Sequence, residues 1–178
     1  MAWTATVHCF TGCTIGELVG LLASSLLGWS TAPSILLALL LSFLFGYTLS
    51  SFPLLRANLP LAKVASVVLL ADSLSILTME AVDNGLMALI PGAMSAGPGE
   101  SLYWSSMAAS FLLAFAAAYP VNLLLLNRGK GHALSHGYHG TDEEPQGWRK
   151  LLPNLSGTVL AVLLIGFVLG GLLASLAG

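Results

Sequence analysis

The amino-acid sequence predicts an all-α fold, a polytopic membrane helix bundle of about five transmembrane helices. Three observations lead there. Of 178 residues, 56% are hydrophobic and only 8% charged, where a soluble domain has roughly a quarter of its residues charged. The mean hydropathy is +0.87. The apolar residues also gather into five runs, each at or above the roughly 20 residues that a helical crossing needs.

The expected spans are 7–28, 33–52, 61–90, 102–126 and 152–177, in a single integral membrane domain over residues 1–178. They are separated by the turns Trp29–Ala32 and Pro53–Pro60, a Gly/Pro-rich link Pro91–Glu100, and one polar loop, 127–150. The net charge of −2 says nothing about nucleic acid and no basic cluster suggests it; the expected partner is the lipid bilayer, with no nucleic acid. No Lys or Arg precedes the first apolar run, so the start reads as a first membrane helix rather than a secretory signal peptide.

Orientation follows from the basic residues. Arg56 and Lys63 flank the second loop, and Arg128, Lys130, Arg149 and Lys150 flank the fourth. Five crossings put both loops on one side. The expectation is N-terminus inside, C-terminus outside and a cytosolic 127–150 loop.

The first span carries HCFTGCTIGE, His8–Glu17. On a helix, Cys9, Cys13 and Glu17 form one column, and His8, Gly12, Gly16 and Gly20 form the next. The glycines make a GxxxGxxxG series that lets another helix approach closely. A buried free Cys is usually a small hydrophobe, and such glycines often serve packing alone. Together with His8 and an intramembrane carboxylate, however, the column suits a soft or borderline cation.

The second span has a Leu-rich body suited to lipid, with Ser42, Gly46 and Ser50 recurring every fourth residue as a packing stripe. The third carries Asp72, Glu80, Asp83 and Asn84. Met79, Asp83 and Met87 form a strict column along it. At 1.5 Å per residue, Asp72 lies about 13 Å beyond Lys63 and Glu17 about 15 Å beyond Val7, so these two acids are expected to meet. Glu80 and Asp83 lie farther out, where the bland alternative is a solvated interface. Four of the eight acids fall within spans, and no Lys or Arg lies deep in any span. Such acids are protonated, hydrogen-bonded or neutralised by a bound cation.

Met94 in the link extends a series with Met79 and Met87, although methionine is more often gap filler than ligand. The fourth span holds Tyr119-Pro120-Val121-Asn122; a proline there frees a backbone carbonyl and suggests a polar kink. In the polar loop, His132, His136 and His139 are a candidate second site for a transition metal or protons. Gly166, Gly170 and Gly171 in the fifth span suggest close packing.

The strings HCFTGCTIGE (His8–Glu17), MEAVDNGLMALIPGAM (Met79–Met94) and AYPVNLLLLNRGKGHA (Ala118–Ala133) resemble those of an uncharacterised bacterial membrane-protein family, domain of unknown function 4396. The resemblance covers most of the chain. It implies the membrane fold and no established activity; a link of some members with copper-related or cupredoxin-like proteins favours a metal.

The functional expectation is therefore a membrane protein that binds or translocates a metal cation, copper or another soft or borderline ion such as zinc. The expected ligands are His8, Cys9, Cys13, Glu17, Asp72, Met79, Glu80, Asp83 and Met87. A mobile proton is the other cation that fits, and a homo-oligomer or membrane partner would complete a thin bundle. Two further classes stay open: a thiol-redox protein using Cys9 and Cys13, which lacks the usual CxxC spacing, and a non-catalytic accessory subunit. No catalytic triad, nucleotide motif or haem motif is present, and the chain is not read as an enzyme.

Overall fold

The computed structural model describes residues 2–127 and 144–177, with side-chain surroundings for all of these except Ser25 and Ala71. The candidate loop site at His132, His136 and His139 lies outside the described residues. The described chain is helical without strands: α1 (Ala2–Leu26), α2 (Thr31–Arg56), α3 (Leu61–Leu89), α4 (Ser101–Asn127) and α5 (Gly157–Ala177), with short 3-10 turns at Ala93–Ser95 and Gly147–Leu151. All five α-helices are long and apolar enough to cross a membrane. This is a multi-pass membrane protein.

The turns stop the helices where the sequence permits left-handed backbone. Gly28 (φ 66°) follows α1, and the Trp29 N–H donates back to the Ser24 carbonyl, closing a Schellman-type end. Asn58 (φ 60°) does the same after α2, where the Leu59 N–H reaches the Leu54 carbonyl. Pro60 then opens α3, because a helix start has no use for the missing N–H. Two prolines do not end their helices. Pro53 lies inside α2, which runs four residues past the expected Phe52 end, and Pro120 lies inside an unbroken α4.

Helix α1 is the most enclosed of the five and α5 the least; α1 touches all four others. Its glycines make the closest contact in the bundle. A Cβ built on Gly12 would lie 2.6 Å from the Gly46 Cα, one on Gly16 2.3 Å from the Leu41 carbonyl carbon, and one on Gly20 2.4 Å from the Ala38 Cα. These are backbone atoms of α2, so nothing there moves aside. The expected groove is real, and α2 fills it with its own small stripe: Ala38, Ser42, Gly46 and Ser50 are all buried. On the far side of α2, Leu36, Leu40 and Leu44 stay exposed, as the Leu-rich body suggested.

With its glycine stripe on α2, α1 turns Cys9, Phe10 and Cys13 into a core shared with Ile76 and Met79 of α3 and Trp104, Met107 and Phe111 of α4. Phe10 packs edge-on against Phe111 and Phe115, centroids 5.4 and 5.6 Å apart. Helix α5 docks on α1 and α4. Of its glycines only Gly171 is needed for contact, lying against the Trp104 indole; a Cβ at Gly166 or Gly170 would meet open space, so the expectation of close packing holds for one of the three.

At the basic end of the bundle, residues 144–152 strap across the α2–α3 turn. The Arg149 guanidinium donates to the Leu59 carbonyl at 2.9 Å, the Gln146 N–H donates to Asn58 Oδ1 at 3.0 Å, and Arg56 donates to the Leu152 carbonyl.

Gly16→Ala is expected to destabilise the protein by about 2 kcal/mol, the usual cost of forcing a methyl into packed backbone. Gly166→Ala, facing open space, is expected to be neutral. Thermal unfolding of the two variants in detergent checks this; equal melting temperatures would contradict the groove.

Candidate thiol and carboxylate column

The GxxxGxxxG stripe decides which side chains of α1 face inward. Cys13 lies one residue, or about 100° of helix rotation, from Gly12. Fixing Gly12, Gly16 and Gly20 on α2 therefore aims Cys9, Cys13 and Glu17 at the seam with α3. Helix α3 answers with Asp72, Ser75, Ile76, Met79, Glu80 and Asp83, all buried. On α1, Cys9 and Cys13 are buried and Glu17 is half-buried.

At one level of the column sit the thiols. Cys9 and Cys13 are free, 1% and 4% exposed, and share one core cluster as neighbours along the column. The Cys9 thiol also points to the Ser75 hydroxyl at 3.9 Å. Gly46 of α2 makes room for them: a Cβ there would lie 3.4 Å from the Cys13 sulfur and 2.9 Å from Ile76 Cδ1. Asp72 and Glu80 are the carboxylates that Cys13 senses.

At the next level three carboxyls converge from two helices. Glu17 faces Asp83 and Glu80. Glu80, 7% exposed, is approached by the Ser42 hydroxyl of α2 and receives Asn84 Nδ2 at 3.3 Å. Asp83, 4% exposed, has the Ser110 hydroxyl of α4 and the Glu17 carboxyl as neighbours. Neither Asp83 oxygen makes a hydrogen bond of normal geometry. The Ser110 hydroxyl is donated to the Met107 carbonyl at 3.0 Å, and two carboxylates cannot hydrogen-bond without a proton between them. Among the described residues no Lys or Arg acts on any of the three. Glu80 and Asp83 are thus not solvated at an interface.

The expected meeting of Glu17 with Asp72 is replaced by Glu17 with Glu80 and Asp83, while Asp72 falls at the thiols. The reason is the start of α1, which is Ala2 rather than Val7. Five more residues put Glu17 about 7 Å deeper along the helix.

The other expected ligands scatter. His8 is buried but turned elsewhere: Nδ1 faces the Thr4 carbonyl at 2.8 Å and Nε2 the Leu155 carbonyl at 2.9 Å. With both ring nitrogens on backbone oxygens, His8 ties α1 to the lead-in of α5 and turns neither nitrogen to the cysteines. Met79 is buried in the core beside Cys9 and Cys13, Met87 is half-buried, and Met94 is exposed. Among the described residues no group of three or more His, Cys, Asp or Glu is arranged to hold a metal ion. Asn122, beside Pro120, donates to Thr6 Oγ1 at 2.8 Å; it joins α4 to α1 away from the acids. Ser75 and Ser110 belong to the column and carried no sequence signal, since a serine in a membrane helix ordinarily bonds its own backbone.

A family model described as domain of unknown function 4396 matches residues 1–131. The match takes in α1 to α4 and both levels of the column, and the chain belongs to this family. No curated protein and no solved structure matches it.

A water-soluble maleimide is expected to leave Cys9 and Cys13 unmodified in the folded protein and to label both after denaturation. Labelling of the native protein at the denatured rate would show that the column is open to water.

Proposed function

We propose that this member of the domain of unknown function 4396 family binds or translocates a cation along the seam between α1 and α3. The observation that supports it is that Glu17, Glu80 and Asp83 neighbour one another with no basic group among the described residues acting on them. A charged carboxylate at membrane depth costs about 3 kcal/mol even on the mildest scale. Three together need positive charge, and a mobile cation or proton is the source that the seam leaves.

The cargo favoured is a metal ion of soft or borderline class, copper above zinc, taken at Cys9 and Cys13 with the Met79 thioether nearby. Thiolate and thioether sulfur suit Cu(I), and the two neighbouring thiols suit a two-sulfur site. His8 drops out of this ligand set because of its two carbonyl partners. Glu80 reaches both levels, facing Cys13 on one side and Glu17 with Asp83 on the other, which gives a cation a continuous run of acidic and sulfur ligands. In this reading the basic end faces the cytoplasm of a bacterial cell, both thiols lie on the cytoplasmic half of the inner membrane, and a second copy or membrane partner covers exposed helix faces.

The neighbouring thiols also favour a second reading, a membrane dithiol in which Cys9 and Cys13 give up two electrons and two protons to a two-electron acceptor such as a quinone, which is reduced to the quinol as the disulfide forms.

Reduced protein loaded with Cu(I) and desalted is expected to retain copper, and Cys9→Ser/Cys13→Ser roughly tenfold or more less, since even outer-shell changes cost that much. Equal copper in both would sink the metal reading. A reversible Cys9–Cys13 disulfide in the copper-free wild type would support the dithiol instead.

A further inference from the structure

We propose that an apolar slot between α1, α4 and α5 is a binding site for one acyl chain of a phospholipid, with Trp3 and Tyr119 at its mouth. The slot stands apart from the proposed cation path, about a quarter turn of α1 away from the Cys9, Cys13 and Glu17 column.

The slot has a volume of about 300 Å³. Buried Val7 and Phe10 of α1, Phe111 of α4 and Val168 of α5 form its floor, while Leu112, Ile165 and Leu169 stand at its rim, each more than half exposed. The rim residues belong to the outer faces of α4 and α5, so the slot opens into the bilayer. It is also elongated along the helices. Its lining runs from Trp3 to Thr11 on α1, from Phe115 back to Ala108 on α4 and from Ala161 to Leu169 on α5, about 10–12 Å on each at 1.5 Å per residue. Phospholipid chains lie along the same direction. The aromatic walls are held in place by one another: Trp3 packs edge-on against Phe115 at 5.2 Å and Phe10 against Phe111 at 5.4 Å. Small side chains at Ala108 and Ala161 give the slot its width.

The chemistry of the walls selects the ligand. Thr11 carries the one hydroxyl among the lining residues, and it is donated to the Val7 carbonyl at 2.7 Å. The interior of the slot therefore offers nothing to a polar head group, and water, which needs polar partners, gains nothing there either. A bare hydrocarbon chain fits, held by dispersion contacts from three helices at once. Donors gather at one end instead. Helix α1 starts and α4 ends at the basic end of the bundle, where Trp3 is half exposed and Tyr119 stacks on Phe115 one helical turn nearer that end. Among the described residues neither the Trp3 indole N–H nor the Tyr119 hydroxyl has a hydrogen-bond partner. Such rings anchor at the level of lipid head groups. A phospholipid presents ester and phosphate oxygens where its chains begin, as acceptors for these donors, and its negative phosphate suits the end that carries Arg56, Lys63, Arg149 and Lys150. A partner helix would bring no such acceptors, because its carbonyls are satisfied within it.

The test is photolabelling of the full chain in lipid nanodiscs that contain a trace of phosphatidylglycerol with a diazirine midway along one chain, followed by peptide mapping. Label is expected to concentrate on Phe10, Phe111 and Val168, severalfold above Leu69 and Leu70 of α3. Those two leucines are exposed and lie about as far into α3 as Phe10 does into α1, so they report a chain that merely passes by. Slot labelling no higher than theirs overturns the proposal, as does an unlabelled slot, which would mean that a protein segment fills it. Ala161→Phe, which fills the slot, is expected to lower its labelling severalfold and leave Leu69 and Leu70 unchanged; undiminished labelling overturns the site. Trp3→Phe keeps the ring and removes the N–H, and is expected to lower slot labelling too; no change overturns the role of the mouth in holding a phospholipid. If Ala161→Phe does not fold, Ala108→Phe narrows the other end, and the comparison of slot with α3 in the wild type tests the proposal by itself.

Discussion

The rest of the structure depends on backbone meeting backbone between α1 and α2. With Gly12, Gly16 and Gly20 set against Gly46, Leu41 and Ala38, the rotation of α1 about its own axis is no longer free. Any other rotation would push a side chain into the main chain of α2. The neighbouring stripe of Cys9, Cys13 and Glu17 is thereby committed to α3, and α3 has to be polar along the facing strip. Packing by small residues is the usual route to helix association in membranes, where apolar burial gives little drive. Here the same contact also sets the direction in which the chemistry points.

The polar strip is expensive. Three ionised carboxylates at a few kcal/mol each add up to a sum comparable with the 5–15 kcal/mol that holds a whole domain together. A bundle this size does not carry such a debt without a compensating charge. Structural ion pairing would be one solution, but the guanidinium groups of Arg56 and Arg149 are bound to backbone carbonyls at the basic end. The Asn84 amide, donating to Glu80 Oε2, lessens the cost without cancelling charge, while the Ser42 and Ser110 hydroxyls are donated to the Cys13 and Met107 carbonyls. In the proposed function the compensating positive charge arrives from outside the chain, as a proton or as a metal ion.

Much of this was legible in the residues. The helix count, the glycine groove, the lipid-facing leucines of α2 and its Ser42/Gly46/Ser50 stripe all follow from periodicity, because close packing demands small side chains at fixed spacing. The identity of the glycine partner did not follow: GxxxG says that a helix approaches, not which one, and the partner is α2. Depth failed for a related reason. A span start placed at Val7 instead of Ala2 moves every residue of α1 by about 7 Å, enough to pair Glu17 with the wrong acid. His8 looked like a ligand because its residue type is one; only the positions of the Thr4 and Leu155 carbonyls show its nitrogens to be engaged. Ser75 and Ser110 could not be singled out, since serines are common in these helices and only the fold says which ones face an acid.

The central claim is that α1 and α3 bring Glu17 to Asp83 and leave Asp72 at the level of the thiols. Oxidative cross-linking in a Cys9→Ser/Cys13→Ser background tests it most directly. The pair Glu17→Cys with Asp83→Cys should form an intramolecular disulfide in membranes, and Glu17→Cys with Asp72→Cys should not. Cross-linking of the second pair in preference to the first would contradict the register on which the column is built.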